Sequence, residues 1–116
     1  MNTPVKVAVI GAGFMGSMHA SIFAQSPGAE LVAVVDQNLD LARAAAGKHP
    51  GCRAYRSHDE LLASEQLDLI SICTPDNLHR DAAIAAAAKG VHLFIEKPIA
   101  STIEDGEAIV AAAEKA

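Results

Sequence analysis

The sequence predicts a doubly wound parallel α/β sheet, and three observations carry that prediction. Short apolar runs rich in β-branched residues alternate with alanine-rich helical stretches along the whole chain. The connections between them are short, as crossover units require, and none has the composition of a domain linker. The first apolar run ends in glycine and passes directly into a helical stretch.

Val5–Ile10 reads as a buried parallel strand. A helix is expected from Phe14 to about Ser26, stopped by Pro27-Gly28. Leu31–Val35 is a second buried strand, ending in Asp36. Leu39–Lys48 is helical and is broken by His49-Pro50-Gly51, and Arg53–Arg56 is a weak strand suited to a sheet edge. Ser57 and Glu60 have the spacing of a capping box and open a short helix to about Ser64. Leu69–Cys73 is a third strong strand, ended by Thr74-Pro75. Leu78–Lys89 is helical with Gly90 at the stop position, and Val91–Ile95 is the next strand. Ser101 and Glu104 repeat the capping-box spacing and open a last helix through about Lys115. Right-handed crossovers, with a switch point beside the first strand, give the strand order 3-2-1-4-5. Sheets of this type usually add a sixth strand, so this one is expected to be truncated before it.

A length of 116 residues corresponds to one domain. The 51% hydrophobic share is swollen by alanine, which favours helices and close helix–sheet packing. A net charge of −5 argues against a nucleic-acid groove, which needs clustered Lys and Arg. It leaves room for one anionic ligand held by backbone amides. Cys52 and Cys73 lack metal-ligand spacing and imply no disulfide framework, so a reducing compartment is the default. Cys73, within an apolar run, reads as a small buried hydrophobe. The five histidines are scattered, and no metal site is expected. His19 reads as structural, and His49, His58 and His92 as surface residues or as side chains standing behind a site. Met1–Lys6 is too short and polar for a signal peptide, and no apolar stretch approaches the roughly 18 residues of a membrane span. The expectation is a soluble, cytoplasmic chain.

The chemistry concentrates where strands end. Gly11-Ala12-Gly13-Phe14-Met15-Gly16 is a G-x-G-x-x-G between a strand and a helix, and the acidic Asp36 lies 20 residues beyond Gly16 at the end of the next strand. That context turns a common glycine pattern into a dinucleotide fingerprint. Gly11 makes the turn, Gly13 lets a pyrophosphate approach the backbone, and Gly16 allows tight helix packing. The amides near Phe14 and Met15, with the helix dipole, face the phosphates. Asp36 can accept both hydroxyls of an adenosine ribose or serve as a helix cap. A 2′-phosphate would meet like charge there, and Gln37-Asn38-Leu39 supplies no arginine, which favours NAD over NADP. Thr74-Pro75-Asp76-Asn77-Leu78-His79 ends the strand across the same crevice, where Asp76 or Asn77 can equally cap the next helix. Glu96-Lys97-Pro98 ends the following strand at the same rim. Lys97 there is either a solvated charge or a proton-transfer partner, and Pro98 is a candidate for a cis bond. Tyr55 has no lysine four residues later, so a Tyr-x-x-x-Lys catalytic pair is absent.

Val7–Gly16, Val34-Val35-Asp36, Thr74–His79 and Glu96-Lys97-Pro98 together resemble the Gfo/Idh/MocA oxidoreductases, a family that includes glucose–fructose oxidoreductase and inositol dehydrogenase. The resemblance implies a Rossmann-type domain over residues 1–116, with a substrate and oligomerisation domain outside it. It implies that Thr74, Pro75, Asn77 and His79 line the cofactor crevice, and that Glu96 and Lys97 lie near the nicotinamide. Lys97 would reach the substrate and assist catalysis, and Pro98 matches a position whose peptide bond is often cis. The implied parent is an NAD-dependent dehydrogenase of a sugar or cyclitol hydroxyl, able to form homo-oligomers through its other domain. The fragment alone is expected to bind dinucleotide and turn over little. Two other functions remain open at this stage: a dinucleotide-binding sensor without catalysis, and a reductase of another small carbonyl or imine. Retention of Glu96-Lys97-Pro98 favours an enzyme over the first, and Asp36 weighs against the NADPH habit of the second.

Overall fold

The computed structural model describes residues 4–74, 79–95, 100 and 102–115. Among them strands and helices alternate: β1 (Val5–Ile10), α1 (Phe14–Gln25), β2 (Ala29–Val35), α2 (Leu39–Ala46), β3 (Arg53–Tyr55), α3 (His58–Ser64), β4 (Leu69–Ile72), α4 (His79–Ala88), β5 (His92–Ile95) and α5 (Ile103–Lys115). All the strand pairs are parallel, in the order β3-β2-β1-β4-β5. This is the predicted Rossmann-type order. The strand-ending residues Asp36, Thr74 and Gly11 therefore meet at one edge of the sheet.

The three inner strands, β2, β1 and β4, are buried on both faces over most of their length, which is why they read as apolar runs rather than as alternating ones. On one face Val9, Leu31 and Val34 pack with Ala20 of α1 and with Ala45 and Ala46 of α2. On the other, Ile10, Val35, Ile70 and Ile72 pack with Leu61 of α3, Ala82, Ala83 and Ala86 of α4, and Ile109 of α5. The helix residues at these contacts are largely alanine, so the helices sit close to the sheet. Val32 is an extra residue in β2, because the register with β1 shifts between Val7 and Ala8.

Boundaries differ from expectation mainly where backbone bonding extends or shortens an element. β2 begins at Ala29 because Val5 pairs with it, two residues before the apolar run starts. The Ser57 hydroxyl accepts the Glu60 amide at 3.1 Å, as the first capping box predicts. The second cap is corrected: Thr102 Oγ1 accepts the Asp105 amide at 3.1 Å, one residue after the expected Ser101–Glu104 pair. Two adjacent hydroxyl residues face two adjacent acids at the same spacing, so sequence alone leaves this register open. Ser101 lies outside the described residues. Among those residues, no helix is long and apolar enough to cross a membrane.

The edge strand β3 is held by charge as well as by pairing. The Arg53 guanidinium donates to both carboxylate oxygens of Glu65, just past α3, and the Tyr55 hydroxyl donates to the same carboxylate. The bonds from Arg53 hold the Glu65 carboxyl below its ordinary pKa, against the opposing effect of burial. Burial pushes the neighbouring Cys52 thiol up to about 11. A carboxyl whose folded pKa is lowered stabilises the fold above its unfolded value and loses that contribution as pH falls through the folded one. Glu65→Gln is therefore expected to cost about 1 kcal/mol near neutral pH. It should also flatten the loss of stability in acid, below the usual glutamate range. Urea unfolding across pH checks both; an unchanged acid profile would remove Glu65 as its source.

Candidate active site at the carboxyl edge of the sheet

Backbone bonds continue one residue past the strand ends and clamp the rim. The Gly11 amide donates to the Val35 carbonyl at 2.6 Å, Cys73 to Ile10 at 2.7 Å, and Asp36 to Tyr55 at 3.1 Å. Gly11 has φ of +106°, a conformation open to glycine and strained for other residues. A Cβ there would stand 2.8–2.9 Å from the backbone of Cys73 and Thr74. A Cβ on Gly16 would overlap the Gly11 carbonyl. The third glycine of the motif is thus required chiefly by the turn's own backbone. Gly13 faces open space: a methyl group there would meet nothing within 4 Å. It precedes α1 without any side-chain cap. The first amides of α1 have no intrahelical acceptor and present a positive, concave backbone surface. Phe14 beside them is 82% exposed, and Met15 is more than a third exposed.

Asp36 is fixed from two directions. Its Oδ2 accepts the Ala12 amide at 2.8 Å and its Oδ1 accepts the Asn38 amide at 2.8 Å. Asn38, not Asp36, is the cap of α2, since its side chain accepts from Asp40. Each carboxylate oxygen keeps a further lone pair for another donor. The adjoining cleft has a volume of about 380 Å³, with Ile10 and Val35 in its lining and Asp36, Arg56 and Thr74 among its polar residues. The Thr74 Oγ1 is buried there and has no hydrogen-bond partner among the described residues. His79 is 1% exposed, and its Nε2 meets the Thr74 carbonyl at 2.7 Å, so it braces the loop end from beneath.

His19 joins α1 to the end of β4. Its Nδ1 lies 2.9 Å from the Ser71 hydroxyl and 3.3 Å from Cys73 Sγ, and its ring meets Phe94 edge-on. The expected structural role for His19 fits these contacts. Cys73 differs from expectation: it is half-buried and lies in this polar cluster, because its side chain faces α1 where Ser71 and His19 already meet. Among the described residues, no three His, Cys, Asp or Glu side chains group to hold a metal ion. Pro75, Asn77, Glu96, Lys97 and the expected cis bond at Pro98 lie outside the described residues.

Arg56 was missed by sequence reasoning, which looked for an arginine only beside Asp36 in the chain. The signal was the strand register. Val35 pairs with Tyr55, so the next residues, Asp36 and Arg56, emerge at the same rim. His58, expected on the surface or behind a site, is half-buried and also lines this cleft.

Residues 5–116 match a family described as oxidoreductase family, NAD-binding Rossmann fold. D-apiose dehydrogenase of Paraburkholderia graminis is 39% identical over 111 residues, covering 96% of this chain and 30% of that protein. Inositol 2-dehydrogenase of an Arthrobacter species is 39% identical over 116 residues, covering 99% of this chain and 34% of that protein. The WlbA dehydrogenase of Bordetella pertussis, solved in complex with NADH and UDP-GlcNAcA, superposes with a TM-score of 0.92 at 32% identity, covering 99% of this chain and 34% of that one. The chain spans about a third of the length of the relatives it matches.

The second and third glycines of the motif should respond differently to a methyl group. Gly16→Ala is expected to cost about 1–3 kcal/mol, since the overlap is with backbone and outweighs alanine's better helix propensity. Gly13→Ala should stay within about 0.5 kcal/mol of the parent. Urea unfolding of both variants is the check, and equal losses would contradict the packing described.

Proposed function

This chain belongs to the Gfo/Idh/MocA oxidoreductase family as an NAD-binding Rossmann domain, and on that premise we propose that it serves a dehydrogenase acting on a hydroxyl of a sugar or cyclitol. The observation that carries the cofactor half is the Asp36 carboxylate, held by the Ala12 and Asn38 amides beside the open backbone at Gly13. The residues fit a dinucleotide on three counts. The space over Gly13 admits phosphate oxygens, the pinned carboxylate suits a ribose diol, and the buried hydroxyl of Thr74, in the lining of the adjoining cleft, has no partner among the described residues. The substrate half rests on the relatives named as dehydrogenases of apiose and inositol.

In this reading Gly11, Gly13, Phe14, Met15 and Gly16 cradle the pyrophosphate, and Asp36 accepts from the adenosine ribose. Thr74, Pro75, Asn77 and His79 shape the middle of the crevice, His79 by bracing the Thr74 carbonyl. Glu96 and Lys97 stand by the nicotinamide, and Lys97 is the catalytic residue of this segment. Bound NAD supplies a hydride acceptor at nicotinamide C4. Lys97 would hold the substrate hydroxyl and assist departure of its proton to a base of the second domain. The division of labour gives residues 1–116 to the dinucleotide. The remaining catalytic groups and any homo-oligomer contacts belong to a second domain, and this domain alone binds without appreciable turnover. A cytoplasmic setting goes with the same reading, since Cys52 and Cys73 are both outside disulfides.

Calorimetric titration with NADH and NADPH tests this. NADH is expected to bind the more tightly. Asp36→Ala should weaken NADH about 10–100-fold, the worth of hydrogen bonds to a charged group, and should narrow the preference over NADPH. Tighter binding of NADPH by the unaltered chain would overturn the assignment.

A further inference from the structure

We propose that Arg56 covers the adenine of the bound dinucleotide, its guanidinium plane lying against the face of the base. The inference rests on the dinucleotide reading of the cleft and adds a specificity residue to it. Arg56 leaves β3 next to the point where Asp36 leaves β2, and both line the same cleft. A ribose held at Asp36 therefore projects its base into the space that Arg56 borders.

The surroundings favour a flat apolar group. Ile10, Val35 and Ala82 are each at most 5% exposed and line the cleft beside Arg56. An aliphatic wall suits one face of a purine and gives nothing to a phosphate. Asp36 points the same way. Both its oxygens already accept backbone amides, so the carboxylate cannot swing aside, and a 2′-phosphate would lie against fixed negative charge. The cation at Arg56 is thus badly placed as a phosphate receptor and well placed as a stacking plate. It is also uncommitted: exposed, and in none of the ion pairs formed among the described residues. Among those residues no Phe or Tyr lines the cleft, so stacking must come from another planar side chain. His58, the other planar candidate, has its Nε2 3.5 Å from Asp59. A guanidinium offers a delocalised plane and weak hydration, both of which favour stacking on a π-face.

The test is calorimetric titration of the unaltered chain, Arg56→Ala and Arg56→Lys with NADH, NADPH and ADP-ribose, with circular dichroism to verify the fold of each. Arg56→Ala is expected to weaken NADH and ADP-ribose by the same factor, about 3–30-fold. Arg56→Lys should recover little of that loss, because an ammonium has no plane. Unchanged affinity in Arg56→Ala overturns the proposal while leaving the dinucleotide reading intact. Full recovery with lysine, or a loss confined to NADPH, assigns charge rather than stacking and also overturns it. If the unaltered chain binds none of the three, the dinucleotide reading fails first and this inference with it.

Discussion

The contact on which the site depends is backbone against backbone at Gly11. The turn leaves β1 with positive φ, lies on the chain at Cys73 and Thr74, and receives Gly16 of α1 on its own carbonyl. Two methyl groups are excluded by that arrangement, and their absence lets helix, turn and the end of β4 meet. The rest of the rim follows from it. The first amides of α1 are left pointing out of the sheet's edge, and the start of α1 is fixed relative to β4. His19 can then reach Ser71 and Cys73 from the same helix. Ser71 is fully buried, and its hydroxyl needs a partner; the imidazole supplies one and fastens the second turn of α1.

Asp36 converts this steric arrangement into an electrostatic one. By accepting from Ala12 it links the end of β2 to the glycine turn, 24 residues away in the chain. By accepting from Asn38 it fixes its own loop. Charge-assisted bonds of this kind are the stronger class, and two of them hold the carboxylate in one orientation. The negative charge is thus part of the rim's architecture before any ligand arrives. The rim therefore has two electrostatic halves: positive backbone around Gly13 and Phe14, and fixed negative charge at Asp36.

Much of this was legible in the sequence because it is written in local patterns. Unbroken apolar runs between helices specify a parallel sheet buried on both faces, and right-handed crossovers leave little choice of strand order. The glycine motif and Asp36 are read by spacing alone. What escaped depends on register and on packing across the sheet. Arg56 joins Asp36 only because Val35 pairs with Tyr55. Cys73 looks like the last residue of the apolar run Leu69–Cys73 until α1 brings His19 against it. The shift from Ser101 to Thr102 as the last cap turns on a choice between adjacent residues with the same chemistry. The requirement for Gly16 is readable as a motif, but its cause, the Gly11 carbonyl rather than the sheet, emerges only when the turn is folded.

The distribution of side chains explains how such a small domain carries a ligand site at all. The two apolar layers are closed by alanine on the helix side, so the helices approach the sheet without demanding bulky complementary packing. Nearly every polar group that could act on a ligand is then free to sit on loops at one edge, where backbone needs no burial. Backbone amides at that edge are chemically the same in any protein with this turn, so they can supply affinity for a pyrophosphate but no choice between related ligands. Choice has to come from side chains whose positions the strands dictate. Here those are the ends of β2, β3 and β4, three residues from distant parts of the sequence brought together by parallel pairing. A change of the exposed Arg56 side chain can retune the ligand without disturbing either core, whereas Asp36 also ties β2 to the glycine turn through Ala12.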